Sequence, residues 1–236
     1  VGSAATQSTL VLGLLPIVGG AFVIGRRRVA VIGGATVGAL LLGVLLMADG
    51  DISRGDAVLL IVAWLAGSAL AWRDLPAGAQ PSLQVASSAK MARVGTTLAA
   101  LVVVTAGAAA AVWGLTTVAT TLGVSEYLVA FFVASIGTSL PEFVVTVTAI
   151  RRGQRDLAVG DALGSSFVDS TLSIAVGPLI APVAVTTALV VPGSLLAAFV
   201  IALVVVLLSL RRRHDRVSGA TLLALYAVFY VLWLLA

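Results

Sequence analysis

Eight stretches of this chain stay apolar for about 20 residues, the length a helix needs to cross the hydrocarbon core of a bilayer. They cover residues 1–25, 29–48, 55–72, 94–121, 124–150, 157–182, 189–210 and 217–236. A chain built this way has few folds open to it. In lipid every backbone N–H and C=O must find its partner within the protein, and segments of this length do so as helices. With 60% of residues hydrophobic and 10% charged, a water-soluble fold is excluded. The expected class is an all-α polytopic membrane protein with the lipid bilayer as its surroundings.

The connections between these stretches set their direction. Arg26, Arg27 and Arg28 follow the first, and Asp49, Asp51 and Asp56 surround the second connection, with Arg54 its one base. Arg73, Lys90 and Arg93 mark the third, and Arg151, Arg152 and Arg155 the fifth. Arg211, Arg212, Arg213 and Arg216 mark the seventh, while the fourth and sixth carry no base. Basic and non-basic loops therefore alternate. Lys and Arg are retained on the cytoplasmic side, so the basic loops are expected inside and the C-terminus outside. The formal charge of +4 belongs to this topology and calls for no nucleic acid. The longest connection, 73–93, is polar, holds two prolines and is expected to be a cytoplasmic linker. The absence of cysteine excludes disulfides, thiolate metal sites and Cys nucleophiles. The single histidine, His214, lies among arginines, where a solvated surface residue is expected.

The chain also repeats itself. "VGSAATQSTLVLGLLPIV" at its start aligns with "LGSSFVDSTLSIAVGPLI" at 163–180, with a constant offset of 162. Gly2, Ser3, Ser8, Thr9, Leu10 and Pro16 match Gly164, Ser165, Ser170, Thr171, Leu172 and Pro178. The loop charges make the first copy run from outside to inside and the second from inside to outside. Inverted repeats with polar, broken helices that meet near the midplane mark secondary transporters. The expected division is 1–72 as the remainder of a first repeat, 73–93 as the linker and 94–236 as a complete second repeat. Two helices of the first repeat are expected to lie upstream of Val1.

Within the apolar stretches there is no Lys or Arg, but Glu142, Asp169 and, nearer one end, Asp161 are acids. A charge at the bilayer centre costs about 2.5–3.5 kcal/mol on insertion scales, so such residues need a partner. Without a base in reach, a bound cation is the natural one. Thr138 and Ser139 precede Glu142 by four and three residues, so the three can share a helix face. Asp161, Ser165 and Asp169 are spaced by four and form one stripe, and Ser3 and Gln7 repeat the Ser165–Asp169 pair. Pro141 has no N–H to bond the Gly137 carbonyl, which is freed for another partner. Carboxylate, hydroxyl and carbonyl oxygens suit hard cations such as Ca²⁺ and Na⁺. Asp161, near the cytoplasmic end, is read first as a hydrated acid rather than a direct ligand.

"GTSLPEF" (137–143), followed by "VGDALGSSFVDS" (159–170), resembles the second alpha repeat of the cation/calcium exchanger superfamily, above all its prokaryotic sodium/calcium exchangers. The resemblance implies ten helices in two inverted five-helix repeats, with this chain beginning within the third. It implies that Thr138, Ser139, Glu142, Ser165 and Asp169 coordinate ions, joined by Ser3 and Gln7 from the other repeat. The span 94–121 would be one of two gating helices. This chain departs from the family's pattern in four places: "GSN" reads "GSS" at 164–166 and "GSA" at 2–4, "GN" reads "GD" at 160–161, and Gln7 stands where Asn is usual.

The function expected is antiport of Ca²⁺ against Na⁺ by alternating access, with no cofactor beyond the transported ions. Ca²⁺/H⁺ exchange through the same residues is the alternative. An intramembrane hydrolase using Ser139 or Ser165 lacks a general base within the spans. A scaffold subunit would tolerate the loss of Glu142, and a transporter would not.

Overall fold

The computed structural model describes residues 1–73, 90–211 and 213–235. The chain forms two compact units, Val1–Asp74 with Phe131–Ala236, and Leu75–Ala130. The elements of the larger unit begin with α1 (Gly2–Gly19), β1 (Phe22–Val23), α2 (Arg26–Leu46), β2 (Asp51–Ile52) and α3 (Arg54–Arg73). The smaller unit holds α4 (Lys90–Leu122) and α5 (Glu126–Val129). After a π-helical turn at Ala130–Ala134 come α6 (Ser135–Thr138), α7 (Leu140–Arg151), α8 (Arg155–Asp169) and α9 (Leu172–Ile180). The chain ends with β3 (Val183–Ala184), α10 (Thr187–Leu210), β4 (Arg213–His214) and α11 (Arg216–Leu235). Of the connection expected at 73–93, residues 74–89 lie outside the described residues, and 90–93 already belong to α4.

Among the described residues, seven helices are long and apolar enough to cross a membrane. The eighth expected crossing, 124–150, is not one long helix: it is divided among α5, the π turn, α6 and α7. Large apolar side chains lie open on the outside, Leu45 at 74%, Leu210 at 73% and Ile180 at 75% exposed. In water such a surface would drive aggregation; in lipid it is the solvated surface. The chain is an integral membrane protein.

The four short strands make the internal symmetry visible. β1 pairs antiparallel with β4, and β2 with β3. Shifted by 162 residues, β2 falls on β4 and β1 falls within a residue of β3, so each pair is the mate of the other. α2 runs from the β1/β4 end to the β2/β3 end, and α10 runs the opposite way between the same two ends. The two packed helices are therefore antiparallel copies. α3 shifted by 162 coincides with α11, and both open on a capping box with the residue types exchanged. Ser53 and Asp56 bond each other's backbone N–H at 2.8 and 3.2 Å, and Asp215 and Ser218 do so at 2.9 Å.

Arg26–Arg28, Arg211, Arg213 and Arg216 thus gather at one end of the bundle. Arg28, 3.4 Å from Asp156, brings the α7–α8 turn with Arg151, Arg152 and Arg155 to that basic end. Asp49, Asp51 and Asp56 lie at the other. The core between is aliphatic: Leu12, Leu15, Val29, Leu163, Val204, Leu208 and Leu222 pack together in one cluster.

His214 corrects the sequence reading. It is wholly buried, not solvated, because the β1–β4 pairing folds it inward, edge-on to Phe22 with ring centroids 5.4 Å apart. Its Nε2 donates to the Leu12 carbonyl at 2.8 Å. That carbonyl is available because Pro16, four residues on, has no N–H to offer it. Nδ1 lies 2.7 Å from the Ser218 hydroxyl, which can donate to it when the ring is neutral. Burial holds the His214 pKa below the ordinary value near 6.5, opposed by the Leu12 bond and the Asp215 charge. The unfolded chain then binds the proton more readily, so this stabilisation is complete above about pH 6.5 and is lost as pH falls. Thermal stability in detergent is expected to fall from pH 7.5 to pH 5.5, and His214→Gln to flatten that dependence. A variant as pH-sensitive as the wild type would remove His214 as its source. Asp215, held below the usual carboxylate range chiefly by the Ser218 N–H, titrates too low to contribute in that window.

Candidate ion-binding site

Three interrupted helices supply the polar residues. α1 loosens into a π turn over Gln7–Val11. Shifted by 162, that turn falls on Asp169–Ser173, where α8 stops and α9 begins after Ser170 and Thr171. The third interruption lies at Ser139, between α6 and α7. Pro141 sits in the first turn of α7, where its missing N–H is tolerated, and leaves the Gly137 carbonyl without its helical donor. Such breaks place backbone oxygens where an intact helix would bond them internally.

The structure joins α1 to α8 through polar side chains. The Ser3 hydroxyl donates to Asp169 Oδ2, and Ser173 donates to Oδ1 at 3.3 Å. Gln7 is 1% exposed, with Oε1 3.3 Å from the Ser166 hydroxyl. Ser166, also wholly buried, donates to the Ala162 carbonyl at 2.8 Å and lies 3.2 Å from the Ala4 carbonyl. Ser8 donates to it at 3.0 Å. Ala4 and Ser166 are mates under the 162-residue shift, so the two copies of the repeat touch here.

Glu142 is half-buried in the first turn of α7, and its Oε2 is shielded from solvent without a hydrogen-bond partner. Asp169 and Asp161 are both near enough to bear on its charge. Asp161 is also half-buried, and the hydroxyl of the buried Thr146 reaches its Oδ2 at 2.9 Å across the α7–α8 contact. It is thus held by a protein partner from the neighbouring helix.

Three hydroxyls expected in the site turn back on their own helices. Thr138 donates to the Ala134 carbonyl at 2.8 Å, Ser139 to Ser135 at 2.8 Å and Ser165 to Asp161 at 2.7 Å. Thr138 is exposed and Ser139 buried. Gly137 is exposed as well. A hydroxyl that spends its proton backward keeps its oxygen lone pairs, which are what a cation takes.

Ser166 and Thr146 are the site residues that spacing did not single out. Ser166 stands one repeat on from Ala4, a pairing the alignment already contained; Thr146 stands one turn beyond Glu142 and needs α8 beside it to acquire meaning. Among the described residues no three His, Asp or Glu gather into a metal site by themselves. A cation held here would need hydroxyl, amide and carbonyl oxygens alongside the carboxylates.

The chain shares 28% identity over 129 residues with sodium/potassium/calcium exchanger 1 of Gallus gallus, across 51% of this chain and 20% of that protein. It is 44% identical over 62 residues to the inner membrane protein YrbG of Escherichia coli, across 26% of this chain and 19% of YrbG. The matches thus span about a fifth of these relatives' own lengths. Among solved structures, the sodium–calcium exchanger NCX_Mj superposes with a TM-score of 0.62 at 24% identity, over 96% of this chain and 72% of that one. The H⁺/Ca²⁺ exchanger CAX superposes at 0.71 with 16% identity, over 99% and 68%. The family model described as sodium/calcium exchanger protein matches residues 93–235. This match covers more than half of the chain, which belongs to the sodium/calcium exchanger protein family.

Proposed function

We propose that this chain carries part of a secondary active antiporter that exchanges Ca²⁺ for Na⁺ by alternating access. The observation that carries the reading is Glu142: a carboxylate oxygen shut away from solvent without a partner, on a helix broken beside it, with Asp169 close by. In a protein without a base in the spans, a cation is what neutralises such a pair. Glu142 and Asp169 supply the charge. Thr138, Ser139, Ser165, Ser3 and Gln7, with the Gly137 carbonyl, supply neutral oxygens. Residues 1–72 belong to one inverted repeat and 94–236 to the other, and the ion would bind where the two meet. Exchange follows because the site cannot cross between its two open states with its carboxylates bare, so Ca²⁺ or the counter-ion must accompany them.

The basic end faces the cytoplasm of a prokaryotic plasma membrane by the positive-inside rule, and α11 then carries the C-terminus outward. The family's description and the exchangers among its relatives support Na⁺ as the counter-ion. A second reading is exchange against H⁺. It rests on the same Glu142 oxygen, which a proton would satisfy as directly as Na⁺.

Proteoliposomes holding the complete polypeptide separate the readings. Ca²⁺ uptake into Na⁺-loaded vesicles is expected, and it should collapse when monensin dissipates the Na⁺ gradient at fixed pH. Uptake driven only by a pH gradient would replace Na⁺ with H⁺. A null result under both gradients would overturn Ca²⁺ exchange.

A further inference from the structure

We infer that Asp161 is a selectivity residue: its negative charge, held by Thr146 one turn along α7 from Glu142, favours the divalent ion over the monovalent one. This rests on the exchange proposed above. Thr146 lies one turn from Glu142 toward the basic end, about 6 Å along α7. Its hydroxyl owns one proton, yet it lies 2.5 Å from the Glu142 carbonyl and 2.9 Å from Asp161 Oδ2. Both are acceptors when the carboxylate is ionised, so the cluster holds more oxygen lone pairs than protons. Neither the Arg28–Asp156 nor the Arg211–Asp215 ion pair involves Asp161.

Packing does not call for the charge. An asparagine at 161 would still accept the Thr146 hydrogen bond, more weakly than a carboxylate does. What aspartate adds is a third negative charge near enough to act on Glu142. Coulomb attraction scales with the charge of the bound ion, so the free energy that Asp161 contributes to Ca²⁺ is twice its contribution to Na⁺. The affinity factor for Ca²⁺ is therefore the square of that for Na⁺. At a separation of about 10 Å, with partial screening, removal of the charge weakens Na⁺ by roughly fourfold and Ca²⁺ by roughly fifteenfold.

The test compares Ca²⁺ and Na⁺ dependence of exchange in proteoliposomes for the wild type, Asp161→Asn and Asp161→Glu. The asparagine variant is expected to raise the half-saturating Ca²⁺ concentration by about the square of the factor for Na⁺. The glutamate variant, which keeps the charge, is expected to retain the wild-type ratio of the two constants. Equal shifts for both ions in Asp161→Asn would mean a loss of structure and would overturn the inference. So would unchanged constants, or a glutamate variant that behaves like asparagine. These results all presuppose wild-type exchange, so absence of exchange in the wild type counts against the function itself.

Discussion

Ca²⁺ exchange is expected to fall to background in Glu142→Gln while the protein folds and inserts as before. The two halves of this expectation have separate causes. Gln is the same shape as Glu, so packing in the first turn of α7 is preserved. Glu142 Oε2 has no partner to lose, and replacing a partly buried unpaired charge by an amide removes a desolvation cost. The melting temperature should therefore stay level or rise. The bound ion fares differently. A ligand charge about 4 Å from a cation contributes about 4 kcal/mol per unit ion charge at an effective dielectric of about 20. After every discount for relaxation, a divalent ion should lose at least about a hundredfold in affinity. Vesicles containing Glu142→Gln that still exchanged Ca²⁺ at a third of the wild-type rate would return this residue to a packing role. A protein that failed to fold would locate the role of Glu142 in the structure instead.

The fold was legible because the bilayer imposes a coarse rule: long apolar segments, and bases kept to alternate loops. The repeat was legible because Gly, Ser, Thr and Pro stand out against Leu, Ala and Val, so six matched positions at one offset are visible by eye. The site was legible in part. Glu142 and Asp169 could be picked out because acids without bases among apolar residues have few explanations. The break at Ser139, between α6 and α7, was not legible from spacing, which assumes a continuous helix. Ser166 and Thr146 are ordinary small polar residues until α1 or α8 lies beside them. His214 was misread for a physical reason. Its neighbours in sequence are arginines at the surface, while its neighbours in space are Phe22 and the Leu12 carbonyl, 192 and 202 positions earlier. Nothing local announces that Pro16 leaves a carbonyl open for it.

The largest loss of stability is expected from Gly219→Leu. A Cβ at Gly219 would lie 2.6 Å from the Gly13 carbonyl oxygen and 2.7 Å from Pro16 Cγ. One of these is backbone and the other a ring fixed to backbone, so no flexible side chain can move aside. The approach is reciprocal: a Cβ at Gly13 would stand 3.1 Å from the Gly219 carbonyl. α1 and α11 therefore cross with their backbones nearly touching, the packing that small residues permit in lipid, where burial against water offers no substitute. A leucine must force the two helices apart. That separation would also strain the His214–Leu12 bond one turn away, since the bond ties the start of α11 to α1. Overpacking of this kind costs about 3 kcal/mol or more, and the midpoint of unfolding should fall by about 10 °C. Gly34 supplies the matched control. It lies on the exposed side of α2 with nothing within 4 Å of its Cβ position, so Gly34→Leu should leave the midpoint within a few degrees. If Gly219→Leu melted with Gly34→Leu, the α1–α11 crossing would be looser than described, and the π turn at Gln7–Val11 would lose the fixed neighbour that holds Gln7 against α8.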